Sequence, residues 1–469
     1  MGASGMLQCL VVVFLSCFAM SSGVSAVDSN SLLTLQDSID LALKQSVVIH
    51  SAREGVTGAE AQKQEAFTGF LPKLSTSYNY TRLNEAPTFL FPGIPPTLMT
   101  TGTQDNYTWA LEAKQPIFAG GGILANYEAS RFGLDAARME ERGVVLDTVQ
   151  EVRIAYFSVI KAEKLLEVAQ QSVKQLEAHR NMAQSFFDVG MIPRNDLLHA
   201  GVQLANGQQF LVKSENGLEL ARSKLNTVLR RGIDTPVKVE DIFAYKPFEK
   251  SPGEYLKVAL ENRPEIKAYS LKLEQAKKMV SQARSEFFPN VNLVGNYSRF
   301  GDTPGVSGSA YKDQESWYVM AVANWNFWEW GRTKNRVDVS KSRENQITDA
   351  LTNVRDQITL EVKNAYLLLC EAEKQIFVSK KAIEQAEENF RITQERYKEQ
   401  VATSTDVLDA QTLLTRAKSD HTNALGDYHI SHARLERAMG TEQGPGNRGQ
   451  GTVDREQGTG DRELKGELP

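Results

Sequence analysis

Apolar residues recur at seven-residue intervals through two long stretches of the chain. In the later stretch, each large side chain is followed three positions on by a small one. The large positions are Val362, Leu369, Ile376, Ile383, Phe390 and Tyr397, and the small ones are Ala365, Ala372, Ser379, Ala386 and Thr393. The earlier stretch has Val152, Val159, Leu166, Val173 and Phe187 with Ala155, Ala162, Ala169 and Ala183, and departs from the pattern at Leu176 and Arg180. A heptad seam with alternating large and small layers predicts closely packed coiled-coil helices.

The predicted helices are unusually long. Helical periodicity covers about 122–188 and 331–398, and neither segment contains a proline. At 1.5 Å per residue, each helix would be roughly 100 Å long, which is well beyond an ordinary globular helix. A return helix with the same alternation of large and small residues follows each of them, over about 196–230 and 406–439.

Segments with period-two alternation precede each long helix. They cover about 73–84, 105–118, 290–300 and 315–328. In the first segment Leu74, Tyr78 and Tyr80 fall on one face and polar residues on the other. Strands of about ten residues with one polar face and aromatic residues near their ends are typical of outer-membrane barrels.

The chain is a tandem duplication of one unit. The helix and strand around 42–80 match those around 259–297 at an offset of 217 residues, and the offset falls to 209 at Phe118/Phe327 and to 210 along the long helices. The eight extra residues lie between Tyr80 and Phe118, which locates a loop. The predicted units are a first repeat over 27–231, a connector over 232–252 and a second repeat over 253–440.

The two ends of the chain differ from the repeats. An apolar run from Leu10 to Met20 is followed by small residues ending at Ala26, which predicts a secretory signal peptide over 1–26. Lipidation at Cys17 is a less favoured alternative. Residues 441–469 are rich in glycine and charge and have few apolar residues, so we expect this tail to be disordered.

The composition excludes several classes of protein. A net charge of −5 gives no basic face for nucleic acid, and a mean hydropathy of −0.36 excludes a polytopic helical membrane protein. The chain has no GxSxG, HExxH, P-loop or CxxC motif, so we expect neither enzymatic activity nor a cofactor or metal. His429 and His432 lie three residues apart, but packing is favoured over metal binding for this pair, and Cys370 is interpreted as a core residue.

The four predicted strands imply an assembly of several chains. Known membrane barrels have at least eight strands, and every strand edge in lipid must be paired. If these strands span a bilayer, the barrel is shared between chains. Geometry alone leaves the number of chains open.

Several marks together resemble the TolC-like outer membrane factors over about 31–439. They are Pro72 and Pro289 at the helix-to-strand turns, Pro116-Ile117-Phe118, Asn262-Arg263-Pro264-Glu265-Ile266 and Asp406-Val407-Leu408-Asp409-Ala410. The resemblance implies an α+β membrane protein. A trimeric β-barrel with four strands per chain would continue into a long α-helical coiled-coil barrel, with an internal twofold repeat.

The resemblance also implies a location and a function. The protein would lie in the outer membrane of a Gram-negative bacterium, in contact with outer-membrane lipid, and extend into the periplasm as a homotrimer. It would be a passive exit duct for efflux or type I secretion, joined through a periplasmic adaptor to an inner-membrane RND or ABC transporter. The alternative is an exported coiled-coil scaffold or surface protein without a channel.

Particular residues acquire roles from the same resemblance. Asp406 and Asp409 would form the periplasmic gate together with Tyr397 and Asp196. An adaptor would dock at the helical tips, formed by Val189, Gly190 and Met191 in the first repeat and by Gln400, Val401 and Ala402 in the second. Gln400 and Ala402 depart from the glycine and the basic residue usual in the family, which leaves the latch chemistry open. Asp196 and Asp406 could instead serve as N-caps of the return helices.

Overall fold

The computed structural model describes residues 32–248 and 252–441. The predicted signal peptide, Cys17 and all of the predicted tail except Thr441 lie outside the described residues. In the described part, each half has two short helices, two long strands and two long helices in this order, and the first half has an additional hairpin between its long strands. No helix in either described range is long and apolar enough to cross a bilayer.

The first half contains four helices and four strands. The helices are α1 (Leu35–Gln45), α2 (Val47–Thr68), α3 (Gly122–Asp188) and α4 (Arg194–Val228), and the strands are β1 (Lys73–Arg82), β2 (Thr88–Phe91), β3 (Thr97–Thr100) and β4 (Asp105–Ala119). The second half contains α5 (Pro252–Asn262), α6 (Pro264–Ser285), β5 (Asn290–Gly301), β6 (Glu315–Asn324), α7 (Arg332–Lys398) and α8 (Ser404–Met439).

Five boundaries differ by two residues or more from the pattern-based prediction, and two of them are the ends of β1 at Arg82 instead of 84 and of α4 at Val228 instead of 230. Strand β6 ends at Asn324 instead of 328, where the Trp325 indole leaves the sheet to donate a hydrogen bond to the Phe287 carbonyl (3.1 Å). The return helices begin two residues earlier than predicted, at Arg194 and Ser404. The loop between β1 and β4 contains the hairpin β2–β3, which alternation did not predict because its residues are apolar on both faces.

The four long strands form one antiparallel sheet in the order β1-β4-β5-β6. Pairing places Thr76 beside Leu111, Leu111 beside Tyr297 and Tyr297 beside Trp317. Directly paired residues lie on the same face of a sheet, so one face is apolar and aromatic. The opposite face carries the row Ser77, Ala110, Ser298 and Ser316. The sheet therefore has the two faces that a barrel between lipid and water requires.

The helices form an open arc of two levels. Helices α3 and α7 run through both levels. Near the sheet α6 lies between them and α2 packs on the other side of α3, whereas farther away α8 lies between them and α4 packs on α3. An ion-pair cluster joins the levels: the Arg437 guanidinium bonds to Asp147 and Glu265, both at 2.6 Å, and Arg263 bonds to Glu361 at 2.8 Å.

The heptad residues form the buried interface within each pair of long helices. The large and small seam residues of α7 from Val362 to Ser379 are all buried, and so is Tyr397 at its end. Gly207 of α4 shows why small residues recur, because a Cβ atom there would lie 2.6 Å from a methyl group of Leu176. The small layers thus let neighbouring helices approach closely.

The connector is part of the core and not only a spacer. Val237, Val239 and Phe243 are buried against α1, α3 and α4. The fully buried hydroxyl of Tyr156 donates to the Leu33 carbonyl (3.0 Å) and accepts from the Glu240 amide (3.0 Å). Burial raises the pKa of Tyr156 to about 12, so it remains a neutral donor under all physiological conditions.

We expect Tyr156→Phe to loosen the connector. The change removes the hydroxyl that bonds both Leu33 and Glu240, and leaves only the backbone bond from the Glu240 amide to the Leu33 carbonyl (3.2 Å). The loss of a buried hydrogen bond costs about 0.5–1.5 kcal/mol. Limited proteolysis should cleave residues 232–248 faster than in the wild type. Tyr127→Phe, on the same helix near the sheet, is the matched control, and equal cleavage rates in the two variants would contradict this role of Tyr156.

Candidate functional site at the helical tips

The two helical pairs end in turns with the same backbone geometry. In the first tip, the Gly190 and Met191 amides donate to the carbonyls of Phe187 (2.9 Å) and Phe186 (2.8 Å). In the second, the Gln400 and Val401 amides donate to Tyr397 (3.0 Å) and Arg396 (2.8 Å). One residue in each turn is left-handed, Gly190 with φ 75° and Gln400 with φ 58°. This is the helix ending that usually selects glycine.

Gln400 occupies the glycine position of its turn and contacts the other tip. A left-handed conformation costs a non-glycine residue roughly 1–2 kcal/mol. The side-chain amide of Gln400 donates to the sulfur of Met191 at 2.9 Å. The strained residue is therefore also the one that joins the tips of the two halves.

Asp406 is not the N-cap of α8, contrary to the capping alternative. Thr403 is the cap, and its hydroxyl accepts from the Asp406 amide at 3.2 Å. In return the Asp406 carboxylate accepts from the Thr403 amide at 2.8 Å, which completes a capping box. The hydrogen bond from the Thr403 backbone lowers the pKa of Asp406. Asp406 is thus ionised at neutral pH.

Asp196 is not an N-cap either. Pro193 precedes α4 without a side-chain cap, and Asp196 lies half-buried in the first turn of the helix. Proline cannot supply a side-chain acceptor for the helix start, so the first turn of α4 depends on other contacts. The charge of Asp196 nevertheless acts on Tyr397, as described below.

Asp406 and Asp409 lie on one exposed face of α8. They are three residues apart, which places them on adjacent turns of the helix. Both are exposed, whereas Val407 between them and Ala410 after them are buried in the cluster with Tyr397 and Phe390. The carboxylates therefore point away from the packed cluster.

Tyr397 lies in a buried cluster that joins the two halves. Its ring centroid is 5.0 Å from that of His179 and 5.5 Å from that of Phe186, both on α3. Burial raises the pKa of Tyr397 and the charge of Asp196 adds to the shift, whereas the Ser404 hydroxyl opposes it. Tyr397 and Asp196 thus interact electrostatically across the tip.

His179 is a site residue that the sequence interpretation missed. It is buried, and its Nε2 lies 2.9 Å from the Ser404 hydroxyl of α8. Burial lowers the pKa of His179 to about 4, so the ring is neutral at pH 7. The sequence does contain a signal for His179. The heptad pattern is interrupted at Arg180, and His179, the residue before it, takes the buried position in the seam instead.

On the side of this cluster that is farther from the tips, the interface between α3 and α8 is polar. Ser172 accepts from Thr415 at 3.1 Å and Gln175 accepts from Gln411 at 2.8 Å. By contrast, the α7–α8 seam is mostly apolar. A polar interface can exchange its hydrogen bonds with water when helices separate, whereas separating an apolar seam exposes its buried area.

The predicted docking residues form two adjacent exposed turns. Val189, Gly190, Met191, Gln400 and Val401 are exposed. Ala402 is half-buried and packs on the cluster around Tyr397. Its side chain therefore supports the tip from inside. Throughout residues 32–248 and 252–441, no three His, Cys, Asp or Glu side chains are grouped to hold a metal ion.

The sequence matches a protein-family model over most of its length. The model describes the outer membrane efflux proteins and matches residues 38–229 and 255–441. Among curated relatives, the outer membrane efflux protein BepC of Brucella suis is 22% identical, covering 87% of this chain and 85% of the relative. Outer membrane protein TolC of Escherichia coli is also 22% identical, covering 80% of this chain and 76% of the relative.

Solved structures have the same fold. The CmeC outer membrane channel of Campylobacter jejuni superposes with a TM-score of 0.75 at 19% identity, covering 90% of each chain. The outer membrane protein VceC of Vibrio cholerae has a TM-score of 0.75 at 18% identity, covering 87% of this chain and 96% of that one.

The buried neutral His179 should make the tip sensitive to acid. The pKa of His179 falls from its ordinary 6.5 to about 4 in the folded tip, so between these values the opened tip binds a proton that the closed tip does not. Closure should weaken as pH falls through this range, by about 1.4 kcal/mol per unit. Deuterium uptake around 176–190 and 397–410, corrected for intrinsic exchange, should rise from pH 7 to pH 5.

His179→Gln removes the titrating group and keeps a polar side chain. This variant should show equal tip protection at both pH values, whereas the control His50→Gln, on an exposed face of α2, should behave like the wild type. The same pH response in all three proteins would rule out His179 as its source.

Proposed function

The chain belongs to the outer membrane efflux protein family, and from this membership we propose that three copies form one continuous duct. The protein is an outer-membrane efflux channel that extends into the periplasm, which decides against the exported scaffold without a channel. The proposal adds a homotrimer with a shared twelve-stranded barrel, an internal twofold repeat and a periplasmic helical tunnel. The observation that supports the proposal is that the sheet and both levels of the helical arc each have two open edges.

The sheet has two unpaired edges. Within the described residues, β1 pairs only with β4, and β6 pairs only with β5. Lipid offers no hydrogen-bond partner for the outer edges of β1 and β6. Pairing β6 of one copy with β1 of the next satisfies both edges, and three copies give twelve strands.

The helical arc is open on the same sides. Near the sheet its end helices are α2 and α7, and at the far level they are α4 and α7. The elements at one end always come from the first half and those at the other end from the second. One rotation between copies therefore closes the sheet and both helical levels together.

Aromatic residues support insertion of the barrel in a bilayer. Tyr78, Tyr80, Tyr107, Trp109 and Trp317 lie toward the loop end of the sheet. Phe118, Trp325, Phe327, Trp328 and Trp330 lie toward the helical end and are exposed. Two aromatic girdles on either side of an apolar band are the usual interface contacts of outer-membrane barrels with lipid.

The helical tips would dock a periplasmic adaptor. The exposed Val189-Gly190-Met191 and Gln400-Val401 turns, supported by Ala402, lie side by side at the end farthest from the sheet. The adaptor would join the duct to an inner-membrane transporter of the RND or ABC class, for efflux or type I secretion.

Asp406 and Asp409 would form the gate. Three copies would bring six carboxylates, two from each chain, around the axis, and such a ring attracts cations and repels anions. The apolar α7–α8 pair would move as a unit by breaking the polar α3–α8 contacts. Tyr397 and Asp196 would hold the closed position.

We expect the purified protein to be a trimer in detergent. Native mass spectrometry should give three chains per particle, because a single four-stranded sheet leaves its edges unpaired in lipid and membership of the family points to three copies. A monomer would contradict the shared barrel, and a stable particle with another number of chains would contradict the proposed closure.

We expect Asp406→Ala with Asp409→Ala to reduce block by divalent and trivalent cations. The change removes the negative charges at the constriction, so periplasmic-side Mg²⁺ or a trivalent cobalt complex should block single channels at higher concentrations. Asp349→Ala is the matched control, since this exposed carboxylate lies about 70 Å along α7 from the tip. Unchanged block in the double variant would exclude both residues from the constriction.

A further inference from the structure

The hairpin β2–β3 extends the β1–β4 ribbon beyond the rest of the sheet. The β1–β4 ladder ends at Arg82–Asp105. Beyond it, the backbone amide of Leu83 donates to the Gln104 carbonyl (2.8 Å), and that of Thr101 donates to the Pro87 carbonyl (2.8 Å). Strand β2 then pairs with β3. The ribbon therefore projects on the side away from the helices. In the proposed duct, this side is the external mouth.

The hairpin has large apolar side chains on both faces, together with the uncharged Thr88, Thr97 and Thr100, and carries no charge. Residues 87–101 contain no Asp, Glu, Lys, Arg or His. Pairing puts Phe89 with Met99 on one face and Leu90 with Leu98 on the other. Phe91 packs beside Phe89, with ring centroids 6.2 Å apart, and Ile94 at the turn is fully exposed. All of these large side chains are exposed in a single chain.

A hairpin of this kind needs a partner. An isolated two-stranded ribbon is marginally stable in water, and a contiguous exposed apolar patch marks an interaction surface. Among the described elements, β2 and β3 pack substantially only against each other. The partner must therefore come from outside the chain.

Membrane lipid is a poor partner for this surface. The hairpin lies beyond the aromatic residues at the loop end of the strands, so it extends past the acyl chains. Anionic lipid headgroups are recognised by Lys and Arg, which residues 87–101 lack. The β5–β6 loop also reaches over the aromatic face of the sheet, where the Tyr78 hydroxyl donates to the Pro304 carbonyl at 2.7 Å. That loop therefore covers the aromatic, outer side of the sheet next to the mouth.

We propose that the hairpins of neighbouring copies pack against one another across the external mouth and form an apolar closure there. This inference rests on the proposed trimer. Twelve strands at about 4.8 Å spacing and about 40° tilt give a barrel radius of roughly 12 Å. A hairpin from Pro87 to its turn reaches roughly 15–20 Å, so three of them can meet at the axis. Each buries its uncharged faces against identical ones, and the channel thereby has a second constriction opposite the periplasmic tips.

Cysteine cross-linking tests this contact in the full-length protein. Ile94→Cys is introduced into a Cys370→Ala background, and the protein is reconstituted at low density in vesicles and oxidised. We expect disulfide-linked pairs within one trimer. Gly305→Cys, in the other external loop, is the matched control and should not link, and the Cys370→Ala parent reports any linkage through other cysteines.

Further outcomes separate this inference from the proposed function. A particle that is not trimeric by native mass would overturn the proposed function. A trimer without linkage at position 94, or with linkage only at high protein density, would overturn the hairpin closure alone.

A polar variant tests whether apolar packing causes the contact. Phe89→Ser, Leu90→Ser, Leu98→Ser and Met99→Ser, added to Ile94→Cys, should slow linkage severalfold while the trimer mass is retained. An unchanged linkage rate in the intact trimer would show that apolar packing does not bring the hairpins together.

Discussion

The hydrogen-bonding requirement of strand edges in lipid determines most of this architecture. A four-stranded sheet leaves the edges of β1 and β6 open, and the membrane supplies no water to satisfy them. In the proposed trimer, closure comes from other copies of the chain. The rotation that closes the sheet would also carry the helices attached to its strands round the same axis. The open arc from α2 or α4 to α7 would then form the tunnel wall.

The chemistry of the helical interfaces divides this wall into stiff and movable parts. The apolar seams of α3–α4 and α7–α8 hold each pair together through buried area. Between the pairs, Ser172–Thr415 and Gln175–Gln411 supply neutral hydrogen bonds, which contribute only about 1 kcal/mol each because water can replace them. Nearer the sheet, the Arg437 and Arg263 ion pairs tie α3, α6, α7 and α8 together. Movement is thus easiest at the tips and hardest at the junction of the two levels.

Local periodicity explains which parts of this structure can be predicted from the sequence. The seven-residue repeat locates α3 and α7 to within a residue because every turn of a helix repeats the same signal. The tip contacts are different, because Ser404 and His179 meet only when the two halves pack together. The cap at Thr403 was missed because Asp406, three residues later, is an equally plausible cap by residue type. The hairpin β2–β3 lacks alternation because both of its faces carry large apolar side chains.

The two tips differ in sequence although the backbones of their turns have the same geometry. Gly190 adopts the left-handed conformation without steric cost, whereas Gln400 adopts it at roughly 1–2 kcal/mol. A substitution to glycine would relieve that cost, but it would also remove the contact of Gln400 with Met191. The strain therefore accompanies a contact that only a side chain can make. In the proposed gate, a strained residue, a neutral buried histidine and exchangeable hydrogen bonds would hold the tip weakly enough for it to open without unfolding the helices behind it.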